Sequence, residues 1–210
     1  MAKQTRKTST VADIQEALIQ LIHEKGLQNL NVTDITRTAG IGRGTFYTHY
    51  LDKADLVNQL ENELLQKLQT DLNQIMPDAM KWLVGAAPTT ASFITETLKN
   101  FYANQRLIAA LLGEQGDPYF LNRIKQVVFA DLDAALTQFG NHVHGPKTIP
   151  LDYVREFIID EIMGVIVYWI KKPHPEPPIV VAEIIANLQQ MAPFQLLSLT
   201  KNQQEELHDE

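Results

Sequence analysis

The segment Thr33 to Leu56, TDITRTAGIGRGTFYTHYLDKADL, has room only for short helices, because glycines at 40, 42 and 44 break it near its middle. Ahead of the break, Thr33 precedes a run with Ile35 and Ala39 on one helical face and Asp34 in the first turn, the pattern of a capped helix start. Gly40 tolerates the positive φ of a sharp turn, and Ile41 is the large apolar side chain available to pin that turn inward. Beyond Gly42, Phe46 and Tyr50 stand four apart on a buried side. Arg43, Thr45, Tyr47, Thr48 and His49 are left for the outside. Asp52 then reads as the cap of a third element beginning near Lys53, with Asp55 three residues on in a capping-box-like relation. The expectation is a helix, a tight turn, a second helix and the start of a third.

The outer face of the second helix carries donors and no acid. Phosphate oxygens accept from hydroxyl, imidazole and guanidinium groups, so such a face suits a polyanion and is compatible with a major groove. Lys53, at a positively polarised helix end, is a natural phosphate contact. A formal net charge of -7 opposes this reading until it is divided along the chain. Residues 1–53 carry a net +2, leaving -9 for the remainder. Lys3, Arg6 and Lys7 read as a loose basic arm, either following phosphates or merely solvated.

A capped start, an Ala-Gly-Ile turn at 39–41, Gly-Thr-Phe-Tyr at 44–47, an aromatic at Tyr50 and Asp-Lys-x-x-Leu at 52–56 together resemble the TetR family of bacterial transcriptional regulators. The likeness covers the first quarter to third of the chain, including a first helix over Thr10 to Lys25 with Ile14, Leu18, Leu21 and Ile22 at helical spacing. It implies that Thr33, Arg43, Thr45, Tyr47, His49 and Lys53, with Gly44 and Thr48 on the same short run, touch DNA. Arg43 and Thr45 would reach base edges. One departure stands out: Gly42 occupies a position where the family commonly has Ser, which removes a hydroxyl cap.

At 210 residues with 45% hydrophobic content, the chain has enough apolar material for one large or two small domains. The absence of cysteine excludes disulfides, thiol catalysis and thiolate metal sites, and agrees with a reducing cytoplasm. The basic start is followed by no apolar core and cleavage site, so no secretory signal is read and a cytoplasmic location is expected. From Leu56 onward apolar positions recur at three and four, giving an all-α fold. Helices are expected over Lys53 to about Ile75, stopping before Pro77, then Thr90–Ala103, Asn104–Leu112, Pro118–Phe139, Leu151–Lys172 and Ile179–Met191. Breakers separate them at Gly113–Pro118, Gly140–Pro150 and the stiff connector Lys172–Pro178. The division is a three-helix helix-turn-helix domain over 1–53 and a larger ligand-binding and dimerisation domain over 54–210.

The helix containing Phe157, Ile158, Ile162, Ile166 and Tyr168 is apolar around most of its circumference. Arg155, Glu156, Asp160 and Glu161 interrupt it, so it is no membrane span, and burial against a second copy of the chain accounts for it better. Val180, Ile184 and Leu188 on the next helix make a second stripe, and the two helices would build a four-helix contact across a twofold axis. Two reading helices so related match a palindromic DNA site.

The Tyr168-Trp169 pair ending the penultimate helix resembles the family's ligand-responsive domains. This implies a small-molecule inducer that releases DNA, in a pocket sought among Phe93, Phe101, Tyr102, Leu107, Leu111, Phe120, Phe129, Met163 and Trp169. Ordinary core packing is the competing reading for each of these residues.

No enzyme, cofactor or metal site is expected. Gly40-Ile-Gly-Arg-Gly44 has the wrong spacing and context for a nucleotide loop, His142, His144 and His174 lack a carboxylate at metal spacing, and His23 and His208 belong to no acid/base constellation. Two readings of different class remain. One is a dimeric regulator, most often a repressor in this family, bound to double-stranded DNA. The other is a helical ligand-binding or protein-interaction module without DNA activity.

Overall fold

A computed structural model describes residues 2–83, 91–139 and 148–191, and among those residues helices are joined by turns with no strand. The helices are α1 (Ala2–Lys25), α2 (Val32–Thr38), α3 (Arg43–Tyr47), α4 (Lys53–Leu83), α5 (Ala91–Ala103), α6 (Gln105–Leu112), α7 (Phe120–Phe139), α8 (Leu151–Ile170) and α9 (Pro178–Leu188). The all-α expectation holds, with three differences in detail.

First, α2 starts earlier than Thr33. Asn31 is its N-cap, its side chain accepting from the Asp34 N–H at 3.1 Å while the Asp34 carboxylate accepts from the Asn31 N–H at 3.2 Å. Asn31 can close this reciprocal box because the acid lies three residues on, whereas Thr33 falls inside the first turn. Second, α4 runs through Pro77. Proline removes one N–H and crowds the preceding turn, but Leu68 and Leu72 before it and Met80 after it are all buried, so packing on both sides carries the helix across. Third, α1 continues back to Ala2, so the basic N-terminal stretch is helical rather than loose, no Gly or Pro standing in its way. The side chains of Lys3, Arg6 and Lys7 lie outside the described residues, as do His142, His144 and His208.

Ile14, Leu18, Leu21 and Ile22 of α1, Ile35 of α2, Phe46 of α3 and Leu56 and Leu60 of α4 form one end of a continuous core. That core runs on through Leu98, Leu111, Phe120, Trp169 and Ile185. α4 packs on α5 and α7, α5 packs on α9, and α6 touches both α1 and α8. The Gln105 side chain reaches across to donate to the carbonyls of Ile170 and Lys172, closing the C-terminal end of α8. Among the described residues, no helix is long and apolar enough to cross a membrane.

The turn between α6 and α7 is drawn tight by Gly116. A Cβ there would stand 2.1 Å from the Leu111 carbonyl oxygen, and a backbone atom cannot yield as a side chain would. Gly116→Ala is therefore expected to destabilise the chain by about 1–3 kcal/mol, the usual range for overpacking, read as a lowered urea midpoint.

Candidate nucleic-acid interface

The turn between α2 and α3 is closed by backbone bonds. Gly40, at φ +66°, donates to the Arg37 carbonyl at 3.2 Å, and Ile41 donates to the Thr36 carbonyl at 3.0 Å. This is a Schellman closure, with Gly40 in the left-handed position that disfavours a side chain. Ile41 then packs against the core, as its place in the sequence implied. Gly42 is the N-cap of α3 and makes no side-chain cap bond, as the missing hydroxyl implies.

Phe46 and Tyr50 are both buried, and their rings touch at 5.6 Å. Burial, with Glu63 and Asp55 nearby, pushes the Tyr50 hydroxyl above its ordinary pKa. Arg43, Gly44, Thr45, Tyr47 and Thr48 are exposed and His49 is half-buried, so the residues assigned to the outside are brought together on one surface. Arg43 lies along Tyr47: its Nη2 donates to the Tyr47 hydroxyl at 3.2 Å and its guanidinium sits 5.8 Å from the ring centroid. The Thr48 hydroxyl donates to the Thr45 carbonyl at 2.6 Å. These contacts hold the exposed side chains of α3 against one another.

The acid of α2, Asp34, is buried and paired. Asp34 accepts from Lys25 at 2.8 Å and from Arg37 at 2.9 Å as well as from Asn31, and the Lys25 hydrogen bond leads in holding its carboxyl below the usual range. Thr33, one residue earlier, is exposed. At the start of α4, Asp52 accepts from the Asp55 N–H and the Asp55 carboxylate accepts from the Leu51 N–H, both at 2.8 Å. The capping box expected there is present, shifted by one residue on its return bond. Lys53 is half-buried, and its ammonium donates to the carbonyls of Leu27 at 2.8 Å and Gln28 at 3.3 Å. An ammonium has three donors, which leaves one for a phosphate.

Sequence reasoning passed over Leu51, which is 81% exposed between Tyr50 and Asp52 and stands beside the C-terminal end of α3. Its signal was an isolated large apolar residue in a turn, sharing no helical face with others. An apolar side chain there suits a thymine methyl or a sugar face.

Two of the nine residues proposed for a pocket share the lining of one cavity. A cavity of about 20 Å³ between α4, α5, α6 and α7 is lined by Phe101 and Phe120 from that set, and also by Leu64, Leu68, Asp71 and Asn100. The Asn100 amide donates to both oxygens of Asp71 there. Leu107, Leu111, Met163 and Trp169 are buried in the core away from the cavity. Tyr102 is exposed and stacks on Trp169 at 6.0 Å, while Phe129 lies under the Arg155 guanidinium at 5.2 Å. The Phe93 side chain lies outside the described residues. A wider recess of about 360 Å³ along α4 and α7, around Met76, Pro77, Met80 and Asp131, is lined by none of the nine.

On α8 the apolar circumference divides into two stripes. Ile159, Met163, Ile166 and Ile170 face inward, so Ile166 belongs to the chain's own core rather than to an outer surface, because it falls seven residues, nearly two full turns, beyond Ile159. Phe157 and Tyr168, 70% and 69% exposed, share an outer stripe with Tyr153 and Gly164. Ile158 and Ile162 flank it half-buried; Val180 and Ile184 of α9 are exposed and Leu188 is half-buried.

Two family models match the chain. Residues 14–60 match the model described as bacterial regulatory proteins, tetR family, and residues 89–191 match a transcriptional regulator C-terminal region of the same family. The chain belongs to the TetR family. Members matched in these comparisons are transcriptional regulators, not enzymes. The chain is 27% identical over 184 residues to an uncharacterized HTH-type transcriptional regulator, YxbF, of Bacillus subtilis, covering 84% of this chain. The match takes in 43% of that relative, so this chain spans less than half of its length. Among solved structures, a TetR transcriptional regulator from Streptococcus agalactiae superimposes with a TM-score of 0.56 at 25% identity, covering 90% of this chain and 97% of the other. A FadR regulator from Bacillus subtilis in complex with stearoyl-CoA shares the fold, with a TM-score of 0.51 at 18% identity over 84% of this chain and 96% of that one.

Proposed function

We propose that this TetR-family chain is a DNA-binding transcriptional regulator, acting as a repressor, that grips a palindromic operator as a homodimer in the cytoplasm and leaves it when a small molecule binds. The observation that carries the reading is the exposed, acid-free face of α3, with Arg43 laid along Tyr47. In this reading residues 1–53 hold the DNA, with Thr33, Arg43, Gly44, Thr45, Tyr47, Thr48, His49 and Lys53 in contact, and residues 54–210 hold the dimer and ligand sites. The outer stripe of Phe157, Gly164 and Tyr168, with Val180 and Ile184, is the surface offered to the second copy. α4 begins at the boundary and passes the cavity beside Phe101 and Phe120, so a ligand parting α4 from its neighbours also moves the helix-turn-helix. A FadR relative bound to stearoyl-CoA supports a ligand-responsive role for this domain. A cavity of about 20 Å³ requires the helices to open before any such molecule enters.

The test is salt dependence on a promoter recovered by genomic footprinting of the purified protein. Binding weakens steeply as salt rises, since each neutralised phosphate releases counterions. Lys53→Ala lowers affinity on every sequence and flattens the log–log slope by about one. Tyr47→Phe, which also removes the acceptor for Arg43, lowers affinity on all sequences. Arg43→Ala costs about 1–3 kcal/mol on the cognate site and relaxes base preference at one position of each half-site. Binding that is absent or indifferent to salt at the chain's own and neighbouring promoters would favour a helical binding module instead.

A further inference from the structure

The recess of about 360 Å³ between α4 and α7 is a different space from the small cavity beside Phe101. Its volume falls in the range of sites that hold drug-sized molecules, about 300–1,000 Å³. Its α7 side includes Ala134 and Ala135, whose single methyl groups leave room that longer side chains would take. Its α4 side includes Met76, Pro77 and Met80, and the two flexible thioethers can shape themselves to an apolar guest.

The polar groups at this recess favour a positive charge. Both oxygens of Asp131, on α7, accept from one neutral group, the Gln69 amide, at 2.5 and 2.6 Å. An amide satisfies lone pairs but cancels no charge, and among the described residues no cation pairs with this carboxylate. Pro77 has no N–H to give the Asn73 carbonyl four residues back, so a second acceptor at the recess lacks its ordinary helical donor. The cation that lines the recess, Lys81, is paired with Asp78 at 2.7 Å. Residues 54–210 carry a net -9, which adds a longer-range attraction for cations. An anionic guest would meet an uncompensated carboxylate, and a neutral one would make no use of it. We propose that this recess binds an amphipathic organic cation, with its ammonium on Asp131 and its apolar body against Met76, Met80 and the two alanines.

Release of DNA by such a ligand rests on the regulator reading above, since α4 both walls the recess and follows directly on the helix-turn-helix; the binding itself does not. The test therefore uses the full chain without DNA and two probes that share a fluorophore. Dansylcadaverine carries an ammonium and dansylglycine a carboxylate. In fluorescence titration dansylcadaverine binds, and dansylglycine binds more weakly. Asp131→Asn keeps a partner for the Gln69 amide but loses the charge, and it weakens dansylcadaverine by about five- to tenfold without weakening dansylglycine. Glu114→Gln removes the same charge from an exposed position in the α6–α7 turn and leaves both affinities as they were. Ala134→Trp, at an exposed position of the wall, fills the recess and abolishes dansylcadaverine binding while circular dichroism stays native. No binding, equal affinity for the two probes, binding kept by Ala134→Trp, or a loss in Glu114→Gln equal to that in Asp131→Asn overturns the proposal. A chain that binds the probe in this way but occupies no promoter would contradict the regulator reading alone.

Discussion

Phe46→Ala is expected to lower stability by about 3–5 kcal/mol, the range for deleting a fully buried aromatic side chain. Phe46 is the only residue of α3 to be buried, and it meets both Tyr47 and Tyr50 at 5.6 Å. A five-residue helix has too few internal hydrogen bonds to persist alone, so removing its anchor unfixes the whole reading surface. Tyr47→Ala, one residue on, removes an exposed ring and is expected to shift stability by no more than about 0.5 kcal/mol. It still impairs DNA binding, because it takes away both the face and the hydroxyl on which Arg43 rests. Chemical denaturation followed by DNA titration separates the two effects. Equal stability losses for the two variants would contradict the inside–outside assignment of α3.

A double variant, Phe157→Asp with Tyr168→Asp, is expected to give a folded monomer that binds DNA at least about a hundredfold more weakly, since tethering two half-site contacts multiplies affinity by roughly 10²–10⁴. Both side chains are about 70% exposed in the single chain, so their loss leaves its core intact. What the substitutions add is four charges at the centre of a twofold contact, two from each copy, where carboxylates cannot be desolvated cheaply. Ile166→Asp makes the complementary control: it lies in the inward stripe and is expected to unfold the chain instead. Sedimentation reads the oligomeric state, and circular dichroism reads the fold. A double variant that remains dimeric would move the contact off this face.

Much of the helix-turn-helix could be read before any coordinates, for a physical reason. Short helices bury one side chain in three or four, so Phe46, Tyr50 and Ile41 had few alternative places to go, and Gly40 announced the left-handed turn. The cap was misplaced because Thr33 and Asn31 are both competent N-caps, and only the reciprocal bond to Asp34 decides between them. Pro77 misled because a local rule was applied where burial of Leu72 and Met80 outweighs it. The outer stripe of α8 was harder, since a helix apolar all round gives no phase, and Ile166 could be sorted from Phe157 only once α6 and α9 were in place against it. The pocket residues were the least legible. Aromatic residues fill cores and line cavities alike, and nothing local distinguishes Trp169, packed with its indole N–H on the Glu176 carbonyl, from Phe120 at the cavity wall. Glu61, fully buried on α4, carried no visible mark either, because its partner Arg123 lies on a helix 62 residues further along the chain.

The most direct measurement is hydroxyl-radical footprinting, with stoichiometry, on the promoter this protein occupies. Two chains per site should protect two stretches related by a twofold, with centres about 34–36 Å apart or a multiple of that, and Arg43→Ala should weaken both stretches together. A single protected stretch holding one chain, or protection unchanged when Arg43 is removed, would contradict the account.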